Sequence, residues 1–141
     1  MAEYRNIDRW PTCTDPHIAV LRVDGPLFFA NTKLLEDRVA ALVGHETPLR
    51  AVVLDASATT DIDASGAHAL VELVADLEDA GVELHLAVVR GPVRDVIERG
   101  GYWSRFEGRL HASVADAVRA VDPTSSLVVV RPDEQAPPAL L

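Results

Sequence analysis

The stretch TTDIDASGAHAL, Thr59 to Leu70, gathers groups with chemical capacity: Asp61 and Asp63 two apart, then Ser65-Gly66, then His68. A serine nucleophile, a phosphate acceptor and a cation site all draw on such residues. For nucleophilic catalysis Ser65 needs a histidine base within hydrogen-bond reach and a third group to orient that base. His68 is the nearest histidine in sequence, but the segment lacks a Gly-x-Ser-x-Gly elbow, because Asp63 stands at the first glycine position. For calcium, Asp61 and Asp63 alternate like ligands, yet no loop glycine follows at the required offset and no bidentate glutamate closes the loop. The plainer alternative is that Asp63 or Ser65 caps the helix that follows, which stabilises it by about 1 kcal/mol.

Other chemistry has less support. His17, His45, His68, His85 and His111 are dispersed, with no Cys/His pair at ligand spacing, so no metal is expected. The glycines stand singly or as one pair at the ends of elements, so no phosphate-cradling loop and no cofactor is expected. From Arg90 to Arg109 five arginines face Asp95, Glu98 and Glu107, interleaved with Tyr102, Trp103 and Phe106. One reading is a solvated helix face followed by aromatics that plug the core. The other is a docking surface centred on Arg90, Arg94 and Arg99, since arginine and aromatic side chains are enriched at interface centres.

The elements that position these residues follow from hydrophobic periodicity. Short apolar runs alternate with amphipathic stretches from Ile18 to Val121, the pattern of an α/β layer fold. Strands are expected at Ile18–Asp24, around Leu27–Phe29, within Arg50–Ser57 and at Val82–Val89. The third is apolar without alternation, as for a central strand covered on both faces. Helices are expected at Thr32–Val43, Ser65–Ala80, Val93–Arg99 after Pro92, and Ser113–Val121 with Ser113 as N-cap. Gly44, Gly81 and Gly100-Gly101 should stop the first three. Three segments result: residues 1–17 as a linker or a packed N-terminal arm, 18–122 as one domain, and 123–141 as a Pro-rich flexible tail holding one β-prone run, Leu127–Val130.

Composition narrows the function classes. The 141 residues are 48% hydrophobic and only 5% aromatic, as expected of one soluble domain with an aliphatic core. A formal net charge of −9 disfavours nucleic acid as a partner, because phosphate contacts need clustered cations. The apolar runs are far too short for a membrane helix, so no direct membrane insertion is expected, and with Asp8 and Arg9 where an export signal needs its apolar stretch, export is not expected either. A single cysteine, Cys13, fits a reducing compartment.

Two motifs carry a resemblance. LRVDGPLFFAN, Leu21 to Asn31, and VVLDASATTDIDASGAHAL, Val52 to Leu70, resemble the STAS domain, in particular the cytoplasmic C-terminal STAS domain of SulP-type (sulfate permease) anion transporters. The resemblance covers about Ile18 to Asp122, and its more discriminating motif holds Gly25, Pro26, Phe28, Phe29 and Asn31. It implies a mixed sheet of about four to five strands with about four helices packed mainly on one side. The anti-sigma factor antagonists, another branch, resemble this chain in the same loop. There the residue after the motif aspartate is a serine or threonine phosphorylated by a partner kinase. The motif aspartate matches Asp63, and the acceptor position matches Ala64, which has no hydroxyl. Ser65 follows one place later, where its Oγ is expected to engage the helix start. The resemblance therefore implies a non-enzymatic regulatory module that acts through the loop Asp61–Gly66. Its expected partner is the transmembrane domain of a transporter or, as the alternative, a regulatory protein bound by a free-standing antagonist-like domain. Nucleotide or acyl carrier protein binding rests on family analogy alone.

Overall fold

The computed structural model describes residues 7–9, 12–44 and 48–128. A five-stranded sheet runs in the order β1-β3-β4-β5-β6, with β1 at Ile7–Arg9, β3 at Ile18–Val23, β4 at Ala51–Asp55, β5 at Glu83–Ala87 and β6 at Leu110–His111. The last four are parallel, and β1 is antiparallel to β3 at one edge. Parallel neighbours require crossovers, which are the helices α1 (Phe29–Val43), α2 (Ala64–Asp79) and α3 (Gly91–Arg99). A 3₁₀ turn, Trp103–Phe106, follows α3, and α4 spans Val114–Val121. None of the described helices is long and apolar enough to cross a membrane.

The strand residues divide by parity between two faces. Leu21, Val23, Val52, Leu54, Leu84 and Leu86 meet α1, α2 and α3 in the larger core. Ile18, Val20, Val53 and Ala87 meet Ala117 and Val118 of α4 on the other side. Every residue of β4 is buried, which explains its apolar run without alternation. The sheet is thus mixed, with three helices on one face and a single short helix on the other. Helix α2 is the central support, burying Leu70, Val71, Leu73, Val74 and Leu77. It stops where Gly81 takes φ 79°, so that the Gly81 amide donates to the Glu78 carbonyl at 3.0 Å and the Val82 amide to that of Leu77 at 2.8 Å.

Three sequence-based expectations need correction. The strand expected around Leu27–Phe29 is absent: Leu27 makes one isolated parallel bridge to Ile62, and Phe29 already begins α1. The apolar run there reflects the burial of Leu27 and the start of a helix, not a ladder. Within the described residues the N-terminal segment is packed, as an arm and not a linker, and the expected flexible tail begins with folded residues. β2 (Thr12–Cys13) pairs antiparallel with β7 (Leu127–Val128), and the Ser125 hydroxyl, which itself receives the Asp15 amide at 3.1 Å, lies 3.0 Å from the Thr14 hydroxyl. Arg50 fastens the same region, reaching Asp15 at 3.5 Å and the Val121 carbonyl at 3.0 Å. The folded unit extends past both ends of the expected 18–122 domain; residues 129–141 lie outside the described residues. The β-prone run Leu127–Val130 marked one of these short strands, but a two-residue partner such as Thr12–Cys13 gives no periodicity to read, so only the pairing reveals it.

Candidate functional site

The two motif segments meet at the C-terminal ends of β3 and β4, where parallel α/β sheets place their functional loops. The β3–α1 loop turns at Gly25, whose φ of 84° suits glycine. Its amide donates to the Ala58 carbonyl at 2.8 Å, and its carbonyl accepts from Thr60 at 3.1 Å. The buried Thr59 hydroxyl donates to the Val23 carbonyl at 2.8 Å, and the Leu27 amide to the Asp61 carbonyl at 2.9 Å. Leu27 and Ile62 are buried beneath this lacing. Phe28, next in chain, is 40% exposed and is the exposed large hydrophobic residue among the described ones. Phe29 and Asn31 lie in the first turn of α1.

Asp63 is the cap of α2: its backbone is extended, and its Oδ1 accepts the Gly66 amide at 2.6 Å. Asp61 Oδ1 accepts the adjoining Ile62 amide at 2.8 Å, so each acid serves its own backbone. Ala64 and Ser65 are the first two residues of α2 and are exposed. Gly66 is the packed point of the loop. A Cβ there would fall inside van der Waals contact with the Leu27 carbonyl and 2.9 Å from Ile62 Cγ1, so only glycine lets the two loops close together. His68 does not turn toward Ser65 as a base would, since its Nδ1 lies 3.3 Å from the Tyr102 hydroxyl and its Nε2 3.5 Å from Glu72.

The arginine-rich segment joins this loop surface. Arg90, the residue before α3, donates to the Ser57 carbonyl of the β4–α2 loop at 2.8 Å, and the His68–Tyr102 contact ties α2 to the turn after α3. Arg94 lies 4.6 Å from the Trp103 ring centroid, a cation–π distance, and 3.6 Å from Glu98. Arg99 is exposed in the last turn of α3, where a cation complements the helix dipole. Burial differs along this stretch. Phe106 is fully buried and plugs the core, Trp103 is half-buried against that core, and Arg90, Arg94 and Arg99 are exposed.

The histidines are not all dispersed in space. His85 Nδ1 lies 2.9 Å from His111 Nε2, and His85 Nε2 lies 2.9 Å from Glu83 Oε1. Burial lowers the proton affinity of both rings below the ordinary histidine range, while the hydrogen bond from His85 lowers that of Glu83. Sequence spacing of 26 residues hid this pair; only the register Ala87–His111 between β5 and β6 brings it together. No group of three metal-binding side chains occurs among the described residues, and His45 lies outside them.

Comparison with known proteins places this geometry. The family model for the STAS domain matches residues 9–117. Sulfate transporter 3.2 of Arabidopsis thaliana is 32% identical over 148 residues, covering 95% of this chain and 22% of the transporter. Sulfate transporter 1.1 of the same plant is 35% identical over 130 residues, covering 82% and 19%. The chain thus spans about a fifth of the length of the curated relatives it matches. Among solved structures, the murine Slc26a9 anion transporter in its inward-facing state superposes with a TM-score of 0.68 at 25% identity, over 77% of this chain and 18% of that one. The unphosphorylated anti-sigma factor antagonist SpoIIAA shares the fold, with a TM-score of 0.67 at 14% identity over 83% of this chain and 96% of its own.

Proposed function

Because the chain belongs to the STAS domain family, we propose that it is the cytoplasmic regulatory module of a SulP-type inorganic anion transporter, carrying sulfate or a related anion, and that it acts by protein contact, not by catalysis. The observation that carries this reading is Ala64. It occupies the first position of α2, exposed, where the antagonist branch presents its phosphate-accepting hydroxyl. A methyl group cannot accept a phosphoryl group, so the loop keeps the frame of a switch without its reacting atom. What remains is the loop Asp61–Gly66, joined to Leu27 through the Asp61 carbonyl, an exposed Phe28, and the exposed arginines 90, 94 and 99, of which Arg90 reaches the β4–α2 loop. The similarity to plant sulfate transporters supports the transporter setting.

Such a module biases a transport cycle only if its contacts differ between the transporter's states. Arg94 and Arg99 are its cationic contacts, and Phe28 its apolar one. Charge reversal at both arginines in the full transporter is expected to impair anion uptake, while the isolated domain keeps its fold by circular dichroism. Uptake unchanged by the double reversal would overturn the docking role. A second reading, a free-standing antagonist-like regulator, draws on the match to nearly the whole length of SpoIIAA. The reading frame upstream of Met1 discriminates the two: apolar segments of about 20 residues favour the transporter, and a start at Met1 favours the regulator. Incubation with a cognate kinase and ATP should leave the intact mass unchanged; one added phosphate mapped to Ser65 would refute the absent-acceptor argument.

A further inference from the structure

The sheet face beneath α4 holds a chain of titratable side chains that the docking surface does not use. Glu83 and His85 stand on β5 and His111 on β6, and the register sets them on the same face as Val53 and Ala87, which pack against α4. Two contacts of 2.9 Å link them in the order Glu83, His85, His111. The two ring centroids are 5.1 Å apart with planes inclined by 27°, so with nitrogens 2.9 Å apart the imidazoles meet edge to edge. Their nitrogens point at each other along one line, which suits a shared proton and not two ligands converging on a metal. His85 is 3% exposed, whereas the Glu83 side chain is 53% exposed and His111 is half-buried, giving a dry centre with two wet ends.

Donor and acceptor counting fixes the protons. A carboxylate only accepts, so His85 Nε2 bears a hydrogen; neutral His85 then accepts at Nδ1, and His111 donates from Nε2. One added proton settles on His111 Nδ1, leaving both hydrogen bonds in place and strengthening them by charge. A second has only His85 Nδ1 left, where it faces the His111 N–H. Two donors then oppose each other, and two cations stand side by side in a buried place.

We propose that Glu83, His85 and His111 form a proton-operated latch, which fastens the β6–α4 edge to the sheet with zero or one added proton and releases that edge on the second. The edge is built to depend on it. β6 has two residues and two register pairs with β5, and α4 anchors itself chiefly by Ala117 and Val118. The charges around the latch come from every neighbouring element. Asp116 of α4 favours protonated His111, Arg109 before β6 disfavours a proton on His85, and Glu83 is held ionised by the His85 hydrogen bond, then by Arg109, with a smaller part from Arg50 before β4. Dehydration of the two rings outweighs Asp116, so the latch is shut near neutrality and opens on the acid side of the ordinary histidine range.

The test combines nitrogen-detected imidazole spectra with amide hydrogen exchange on the full chain, from about pH 7.5 to about pH 5. Near pH 7.5 both histidines should carry hydrogen on Nε2 alone. On acidification, amides of β6 and α4 should exchange faster than those of β3 and β4, after correction for intrinsic rates, by about tenfold per pH unit below the second protonation. His111→Gln can still donate to His85 but cannot titrate, so it should fold and lose this acid response. The opposite tautomer at neutrality, or an edge that loosens equally in H111Q and the wild type, would overturn the latch. The readout involves neither phosphate nor transport, so it stands or falls apart from the docking role.

Discussion

Substitution of Gly66 by alanine tests the loop architecture on which the proposed contact surface depends. The added methyl would collide with the Leu27 carbonyl and lie 2.9 Å from Ile62 Cγ1 and 3.2 Å from Asp63 Oδ1. Its first two neighbours belong to backbone and to a buried side chain, neither of which yields cheaply. Forcing an extra methyl into such packing costs about 1–3 kcal/mol. Displacing Asp63 from the Gly66 amide removes a cap worth about 1 kcal/mol. Against these, Gly→Ala within a helix returns about 1 kcal/mol of propensity. The net expectation is a loss of about 2 kcal/mol, read as a lower urea midpoint at unchanged slope. Gly44→Ala is the control, because its Cβ would meet the Ala40 carbonyl at an ordinary 3.5 Å; that variant should be neutral or slightly stabilised. The assay is equilibrium unfolding followed by far-ultraviolet circular dichroism. A G66A protein as stable as the wild type would mean that the β3–α1 loop does not close on α2. The packing of the Leu27–Phe28 turn against the start of α2 would then have no basis.

Asp63→Ala should cost about 1 kcal/mol in the same assay, and Asp63→Asn only a fraction of it, because asparagine also caps; equal losses would assign the effect to charge. Ending the chain at Asp122 removes β7 and the Ser125 and Ser126 contacts with Thr14 and Asp15. Several hydrogen bonds of about 0.5–1.5 kcal/mol each are lost, so a fall of about 2–3 kcal/mol is expected by urea titration, and an unchanged midpoint would restore the view of this segment as a tail. Stability should also depend on pH through His85 and His111. Their folded proton affinities lie below the ordinary value of 6.5, so the unfolded chain binds more protons as the solution is acidified. Their contribution is full above pH 6.5 and declines as pH falls toward the folded values. The urea midpoint should drop between about pH 7.5 and about pH 5.5, and a midpoint that rose on acidification would contradict the burial argument.

Much of the scaffold was legible because its signals are local. The amphipathic stripe of α2, its stop at Gly81, the Ser113 cap of α4, whose Oγ accepts the Asp116 amide at 3.0 Å, and the two-sided burial of β4 each rest on neighbouring residues. The aspartates before α2 could be narrowed to a cap or a ligand, and the choice of Asp63 over Ser65 needed the loop geometry. Leu27 misled because an apolar triplet beside a turn looks alike whether it feeds a ladder or a helix. The arginine-rich segment gave two readings, and burial grades along it: Phe106 lies inside, Trp103 is half-buried and Arg94 is exposed.

What the sequence determined alone is chemical identity at fixed places: a methyl group at residue 64, two acids before a helix, a formal net charge of −9, and motifs sufficient to point to a family. These follow from residue type and short-range periodicity, which need no partner from elsewhere in the chain. The tertiary structure decided which distant groups meet. It laced the Gly25 turn to the Asp61 loop, folded the last described strand onto Thr12–Cys13, and set His85 against His111. Strand register and crossover fix such pairings, and register is chosen by the whole core at once, because a slip of one residue would turn every buried side chain to the opposite face.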